Sequence, residues 1–211
     1  MTPAAKRRII QGLLLALLAL PFVAVAVTLV ARDSFSFTRL APLPMLGQAP
    51  EFSLIGTEGQ PVRLADLRGR VWMASFIFTH CAGQCPKVTH DMAQLQTQLP
   101  AREDWRLVSV TVDPEHDTPA VLAQYADMFG ADRRHWLFLT GDKTAIRKMI
   151  TDAFHLSVQD NPDSEDQPIL HSTKIVLVDR DGLIRGYYDG TDPDSLKQLV
   201  ADATRLLAAR S

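Results

Sequence analysis

The sequence predicts an α/β fold: a central sheet of about four or five strands, an N-terminal β-hairpin extension, and a single apolar helix ahead of both. Three observations carry this. A continuous apolar run of strand length at 71–78 (VWMASFIF), as expected for a strand covered on both faces, and a second buried strand at 105–112 alternate with stretches of helical periodicity. A further run at 174–178 meets the DRDG turn (179–182) and a return strand over 183–188, so the sheet closes on a hairpin. Residues 9–30 form an uncharged apolar stretch behind Lys6, Arg7 and Arg8.

That stretch covers 22 positions, enough to cross a bilayer as a helix, and its basic flank is expected to stay in the cytoplasm. Pro21 is tolerated in such a span. The expected arrangement is a single-pass inner (cytoplasmic) membrane protein with its globular part on the periplasmic side. A cleaved signal peptide is the competing reading, with Ala24 and Ala26 as small residues for a peptidase. The organisation read from this is 1–32 as cytoplasmic flank and membrane anchor, 33–48 as a linker containing Pro42, Pro44 and Gly47, and 49–211 as the folded domain.

Within the domain, 52–55 and 62–64 flank a polar turn at 57–60 and read as a hairpin, and 64–70 as a short turn into the first buried strand. Val88, Met92, Leu95 and Leu99 recur at helical spacing over 87–99, which Pro100 closes. After the strand at 105–112 comes VDPEHDTP, whose Asp117-Thr118-Pro119 starts a helix over 120–129 that stops at Gly130. A short strand (136–139) and a helix (143–154) follow. The acidic 157–168 has no periodicity and reads as a surface loop, and 194–208 as an amphipathic helix. The net charge of −2 and the lack of a basic stripe with interleaved aromatics exclude bulk attraction to nucleic acid.

The chemistry centres on Cys81 and Cys85, the only two cysteines, in a turn between a buried strand and a helix. Backbone NH groups at a helix start favour thiolate, which is both the nucleophile of disulfide exchange and the metal ligand. In an exported domain the pair can be a disulfide, a redox couple or metal ligands. A staple over so short a loop removes little chain entropy. Redox turns of the thioredoxin type carry two residues between the cysteines, whereas Ala82, Gly83 and Gln84 make three here. The wider turn can still close a disulfide, and it also lets two sulfurs straddle one ion. Two thiolates suit Cu(I), an added imidazole admits Cu(II), and zinc accepts the same set. Of the six histidines, His80, His90, His116, His135 and His155 read as solvated or capping. His171 directly precedes the buried strand at 174–178, a position that packs against the cysteine turn in thioredoxin-like sheets, and is the candidate third ligand.

The motifs FIFTHC…CP, VDPEHDTP and HSTKIVLVDRDG, in that order, resemble the Sco/SenC family of copper-binding, thioredoxin-fold assembly factors for cytochrome c oxidase, over roughly 49–207. The resemblance implies a thioredoxin-like fold and one copper ion, Cu(I) or Cu(II), held by Cys81, Cys85 and His171, with Asp113 in a neighbouring loop. It implies a metallochaperone rather than an enzyme, delivering copper to the dinuclear centre of cytochrome c oxidase subunit II or another acceptor. A thiol reductant or a copper donor protein would be a further partner. The chain departs from the family pattern at Ala82 and Gly83, where a proline and an acidic residue are common, and at Leu170, where an aspartate is common. The enzymatic alternative is a membrane-anchored thiol:disulfide oxidoreductase that reduces the acceptor's cysteines, with Cys81 attacking and Cys85 resolving. A peroxidase-like relative fits a paired thiol turn weakly, and a structural or docking domain is the remaining alternative.

Overall fold

The computed structural model describes residues 18–22, 42–81, 83, 85–161 and 169–209. The predicted membrane span lies outside the described residues except for 18–22, which are helical and exposed. Among the described residues no helix is long and apolar enough to cross a membrane. The larger of two compact units runs over Leu43–Ser211.

Its strands are β1 (Gly47–Gln48), β2 (Ser53–Gly56), β3 (Pro61–Arg63), β4 (Val71–Ile77), β5 (Trp105–Thr111), β6 (Trp136–Thr140), β7 (Val158–Asp160), β8 (Ile169–His171), β9 (Lys174–Val178) and β10 (Leu183–Asp189). The helices are α1 (Leu64–Leu67), α2 (Cys85–Gln98), α3 (Pro119–Met128), α4 (Lys143–Lys148) and α5 (Pro193–Ala208). Eight strands form one sheet in the order β1-β10-β9-β4-β5-β6-β2-β3, while β7 and β8 pair apart from it. The predicted central strands are its middle: β4 runs parallel to β5 and antiparallel to β9, and β5 parallel to β6. The predicted hairpin at 52–64 is β2–β3, and it docks on the sheet through β6.

All seven residues of β4 are buried, which is why its sequence reads as an unbroken apolar run. Alternation sends Trp72, Ala74, Phe76 and the following Phe78 to one face, and Val71, Met73 and Ile77 to the other. On the first face Phe52 and Phe154 meet Trp72 edge-on, with ring centroids 6.4 and 6.3 Å away. On the second face lie Met92 and Leu95 of α2, Leu122 of α3, and Leu199 and Ala203 of α5. The one polar side chain inside β4, Ser75, is satisfied across the ladder by Ser109 at 2.9 Å, which also accepts from the Trp136 indole at 2.9 Å.

Three local expectations change. Residues 42–48, at the end of the segment read as a linker, include β1, whose Gly47 pairs with Ile184 on β10. Arg185 of β10 reinforces this by donating to the Leu43 carbonyl at 2.6 Å. The helix expected over 143–154 is α-helical only to Lys148 and continues as a π turn, Met149–Ala153, ending at His155 with φ 52°. The acidic 157–168 is not all loop, because Val158–Asp160 pairs antiparallel with Ile169–His171, Val158 opposite His171. Burial of Val158 and Ile169 supplies the apolar contact that ties this small hairpin to the domain.

Candidate metal centre

β4 and β5 are parallel, with Ile77 opposite Thr111, so the two segments that follow them emerge at one edge of the sheet. Carboxyl ends of parallel strands are where α/β sheets commonly place ligand sites. Here the segments carry Phe78 to Cys81 and Val112 to Thr118. A single carboxylate clamps them together. Buried Asp117 accepts from the Thr79 amide at 3.1 Å and the Thr79 hydroxyl at 2.6 Å, and also from the Thr111 hydroxyl. The exit of β4 is therefore fixed before the cysteine turn begins.

Helix α2 starts at Cys85, two residues ahead of the 87–99 expected. Within the turn the Gly83 amide donates to Cys81 Sγ at 3.3 Å. Thr89 anchors the helix through a 3.0 Å hydrogen bond to the Tyr125 hydroxyl of α3. Cys81 and Cys85 are both free and buried. His171, on β8, places Nε2 3.0 Å from Cys85 Sγ. The two cysteines and the histidine that the sequence singled out thus line one cavity of about 200 Å³, together with Phe78, Val88, Ile169, Leu170 and Thr173. A larger cavity, about 390 Å³, lies between β2 and the α4 region, but no thiol or imidazole lines it.

The protonation state follows from the hydrogen bonds. His171 Nδ1 lies 3.1 Å from the Ser172 carbonyl, which can only accept, so the ring proton sits on Nδ1 and the Nε2 lone pair faces the thiol. Burial pushes the His171 imidazole below its ordinary value, and the Ser172 carbonyl opposes that only partly. The Cys85 thiol is pushed well above its ordinary value, first by burial and then by the adjoining Cys81 sulfur. Backbone amides at Phe78 and Cys85 act in the opposite direction and lose. The expectation that the helix start favours thiolate is therefore corrected for Cys85, because desolvation outweighs the field of the helix end. The resting pair is a neutral thiol donating to a neutral imidazole.

Below the pocket, β10 turns into α5 at Gly190, whose amide donates to the Thr173 carbonyl at 3.0 Å. A Cβ there would stand 2.7 Å from that oxygen and 3.2 Å from Val88, so only glycine permits the approach. Leu170, at the position where the sequence lacks an aspartate, is partly exposed at the mouth of the cavity.

The remaining histidines sort differently than expected. His135 is structural: it stacks on Trp105 at 4.5 Å and is held by Asp132 and the Arg102 carbonyl. His90 and His155 are exposed. His80 and His116, read from sequence as solvated or capping, instead converge on buried Asp113. His116 Nδ1 is 2.8 Å and His80 Nε2 3.5 Å from its Oδ2. Both histidines lie just past the carboxyl ends of β4 and β5, and the parallel pairing of those strands is what brings them together.

The sheet of this strand order, with a dithiol–imidazole pocket at its carboxyl edge, is that of a thioredoxin-like α/β domain. The SCO1/SenC family model matches residues 45–208, and the chain belongs to that family. The SCO1 protein homolog of Bacillus subtilis (strain 168) is 34% identical over 161 residues, covering 75% of this chain and 82% of that protein. The solved structure of BsSco, described as a member of the Sco family of cytochrome c oxidase assembly proteins, has a TM-score of 0.70 at 30% identity, covering 80% of this chain and 99% of that one. Bradyrhizobium japonicum ScoI, solved with copper bound, has a TM-score of 0.65 at 26% identity over 76% of this chain and 99% of that one.

Proposed function

We propose that the chain is a copper metallochaperone whose cargo is held by Cys81, Cys85 and His171 and handed to a copper acceptor of cytochrome c oxidase, the dinuclear centre of subunit II. The observation that carries this reading is the 3.0 Å approach of His171 Nε2 to Cys85 Sγ, with its lone pair toward the sulfur and Cys81 alongside. The donor set fits the cargo: two soft thiols and one neutral imidazole suit copper in either oxidation state. Family membership and the copper-bound relative support the same choice. Binding must displace the proton that Cys85 shares with His171, so uptake is proton-releasing. The pocket is small and opens to the surface beside Leu170, which leaves room for an acceptor thiolate to enter and exchange ligands. Residues 9–30 would tether the domain to the inner membrane with 49–211 on the periplasmic side.

The test is competitive Cu(I) titration of the reduced full-length chain. Wild type is expected to bind one Cu(I). His171→Ala should bind at least about tenfold more weakly, since even loss of an outer-shell partner of a metal site costs roughly 10- to 100-fold. Uptake of no copper by the reduced wild type would end the chaperone reading.

Thiol:disulfide exchange is the second reading, favoured by the contact between two free cysteines. In that case Cys81 attacks, while Cys85, held protonated by its surroundings, resolves the mixed disulfide. Exchange does not need His171, so His171→Ala separates the two functions.

A further inference from the structure

We propose that His80, Asp113 and His116 form a second metal site, distinct from the thiol pocket and selective for a divalent first-row cation such as Zn(II) or Cu(II). The argument starts from Asp113. Its side chain is only 6% exposed, yet among the described residues its ion-pair partners are His80 and His116, with no lysine or arginine. A buried carboxylate needs charge compensation, and two imidazoles aimed at the same oxygen can supply it by gathering a proton or a metal cation beside it.

The geometry suits such an ion. One imidazole nitrogen each from His80 and His116 and one Asp113 oxygen all lie within 4.8 Å of one another. Tetrahedral zinc with bonds of about 2.0–2.2 Å places its ligand atoms roughly 3.3–3.6 Å apart. The His80–Asp113 separation of 3.5 Å already matches, and the 2.8 Å His116–Asp113 hydrogen bond has only to open slightly. His116 can make that adjustment because its side chain is 71% exposed. The frame behind it cannot move as freely. Thr79, next to His80, and Thr111, whose hydroxyl accepts from the Asp113 amide at 3.0 Å, are both held by Asp117.

The two sites differ in kind. Imidazole and carboxylate donors without a thiolate suit divalent cations and hold Cu(I) poorly, whereas the thiol pocket alone offers the soft donors that Cu(I) takes. Phe78 separates them, with its ring edge-to-face on His80 at 5.1 Å and on His171 at 5.7 Å. Exposure of both histidines leaves a fourth position open to water, so the ion would exchange readily.

The test uses the purified full-length chain carrying Cys81→Ser and Cys85→Ser, titrated with Zn(II) by calorimetry. It therefore succeeds or fails independently of the copper reading. One Zn(II) per chain is expected, with affinity falling by at least about tenfold when His116→Ala is added, since a lost ligand costs no less than a lost outer-shell partner. Asp113→Asn, which keeps the side-chain shape, should weaken binding in the same way. Failure to take up Zn(II), uptake indifferent to His116→Ala, or uptake abolished by His171→Ala instead would each overturn the proposal.

Discussion

The two sulfurs and the imidazole of the thiol pocket are supported by very different parts of the molecule. Cys81 and Cys85 sit between a strand buried at every position and a 14-residue helix, behind a buried carboxylate that ties the two strand exits together. His171 sits on a three-residue strand in a two-stranded pair outside the main sheet. Its anchors are Val158 and Ile169 in the core, the Arg147–Asp160 ion pair, and the start of β9 just beyond it. Few buried contacts per residue mean a lower cost of local opening. In the copper-carrying role proposed above, this division would let the sulfurs stay in place while the imidazole withdraws.

The division can be broken from the rigid side first. Asp117→Ala removes the acceptor for the Thr79 amide and two hydroxyls at a site fully closed to water. A loss of about 3 kcal/mol or more is expected in chemical denaturation, because the orphaned donors keep their desolvation cost. Thiol-site affinity should fall with it, since His80 and Cys81 follow directly on Thr79.

A smaller effect is expected at the base of the hairpin side. The Thr191 hydroxyl and amide, followed by Lys174, hold Asp189 at about 2, below its ordinary 3.8. A depressed folded-state value means that this contribution is complete above about pH 4 and is lost as the pH falls toward 2. Asp189→Asn should therefore lower Tm at neutral pH and flatten the acid limb across that window, so that the two proteins converge toward pH 2. Identical acid limbs in the two proteins would show that Asp189 does not secure β9.

The smallest change in stability is expected for Arg147→Ala, which removes a solvent-facing ion pair worth about 0–1 kcal/mol. Amide exchange should nevertheless quicken in Val158–Asp160 and Ile169–His171 and stay unchanged in β4. Equal acceleration in both would erase the contrast between the two supports.

How much of this was legible in the sequence depended on how local each feature is. The run at 71–78, the cysteine turn and the helix behind it are written in consecutive residues, and their boundaries shift by only one or two positions. β1 and the β7–β8 pair are two- and three-residue strands that exist because of partners far along the chain, so no periodicity could announce them. His171 was singled out through its place before β9, but the hairpin that presents it was not legible. The protonation of Cys85 was misjudged for a related reason: a helix start is visible in sequence, whereas the depth at which a sulfur is buried is not. His80, Asp113 and His116 lie on two separate loops, and only the parallel register of β4 with β5 brings them together.

Copper-edge X-ray absorption of the Cu(I)-loaded full-length chain tests the thiol pocket most directly. Two sulfur donors and one nitrogen donor are predicted in wild type, with the nitrogen lost and both sulfurs kept in His171→Ala. A wild-type spectrum with nitrogen and oxygen donors only, or one that His171→Ala leaves unaltered, would contradict the assignment of Cys81, Cys85 and His171 as the copper ligands.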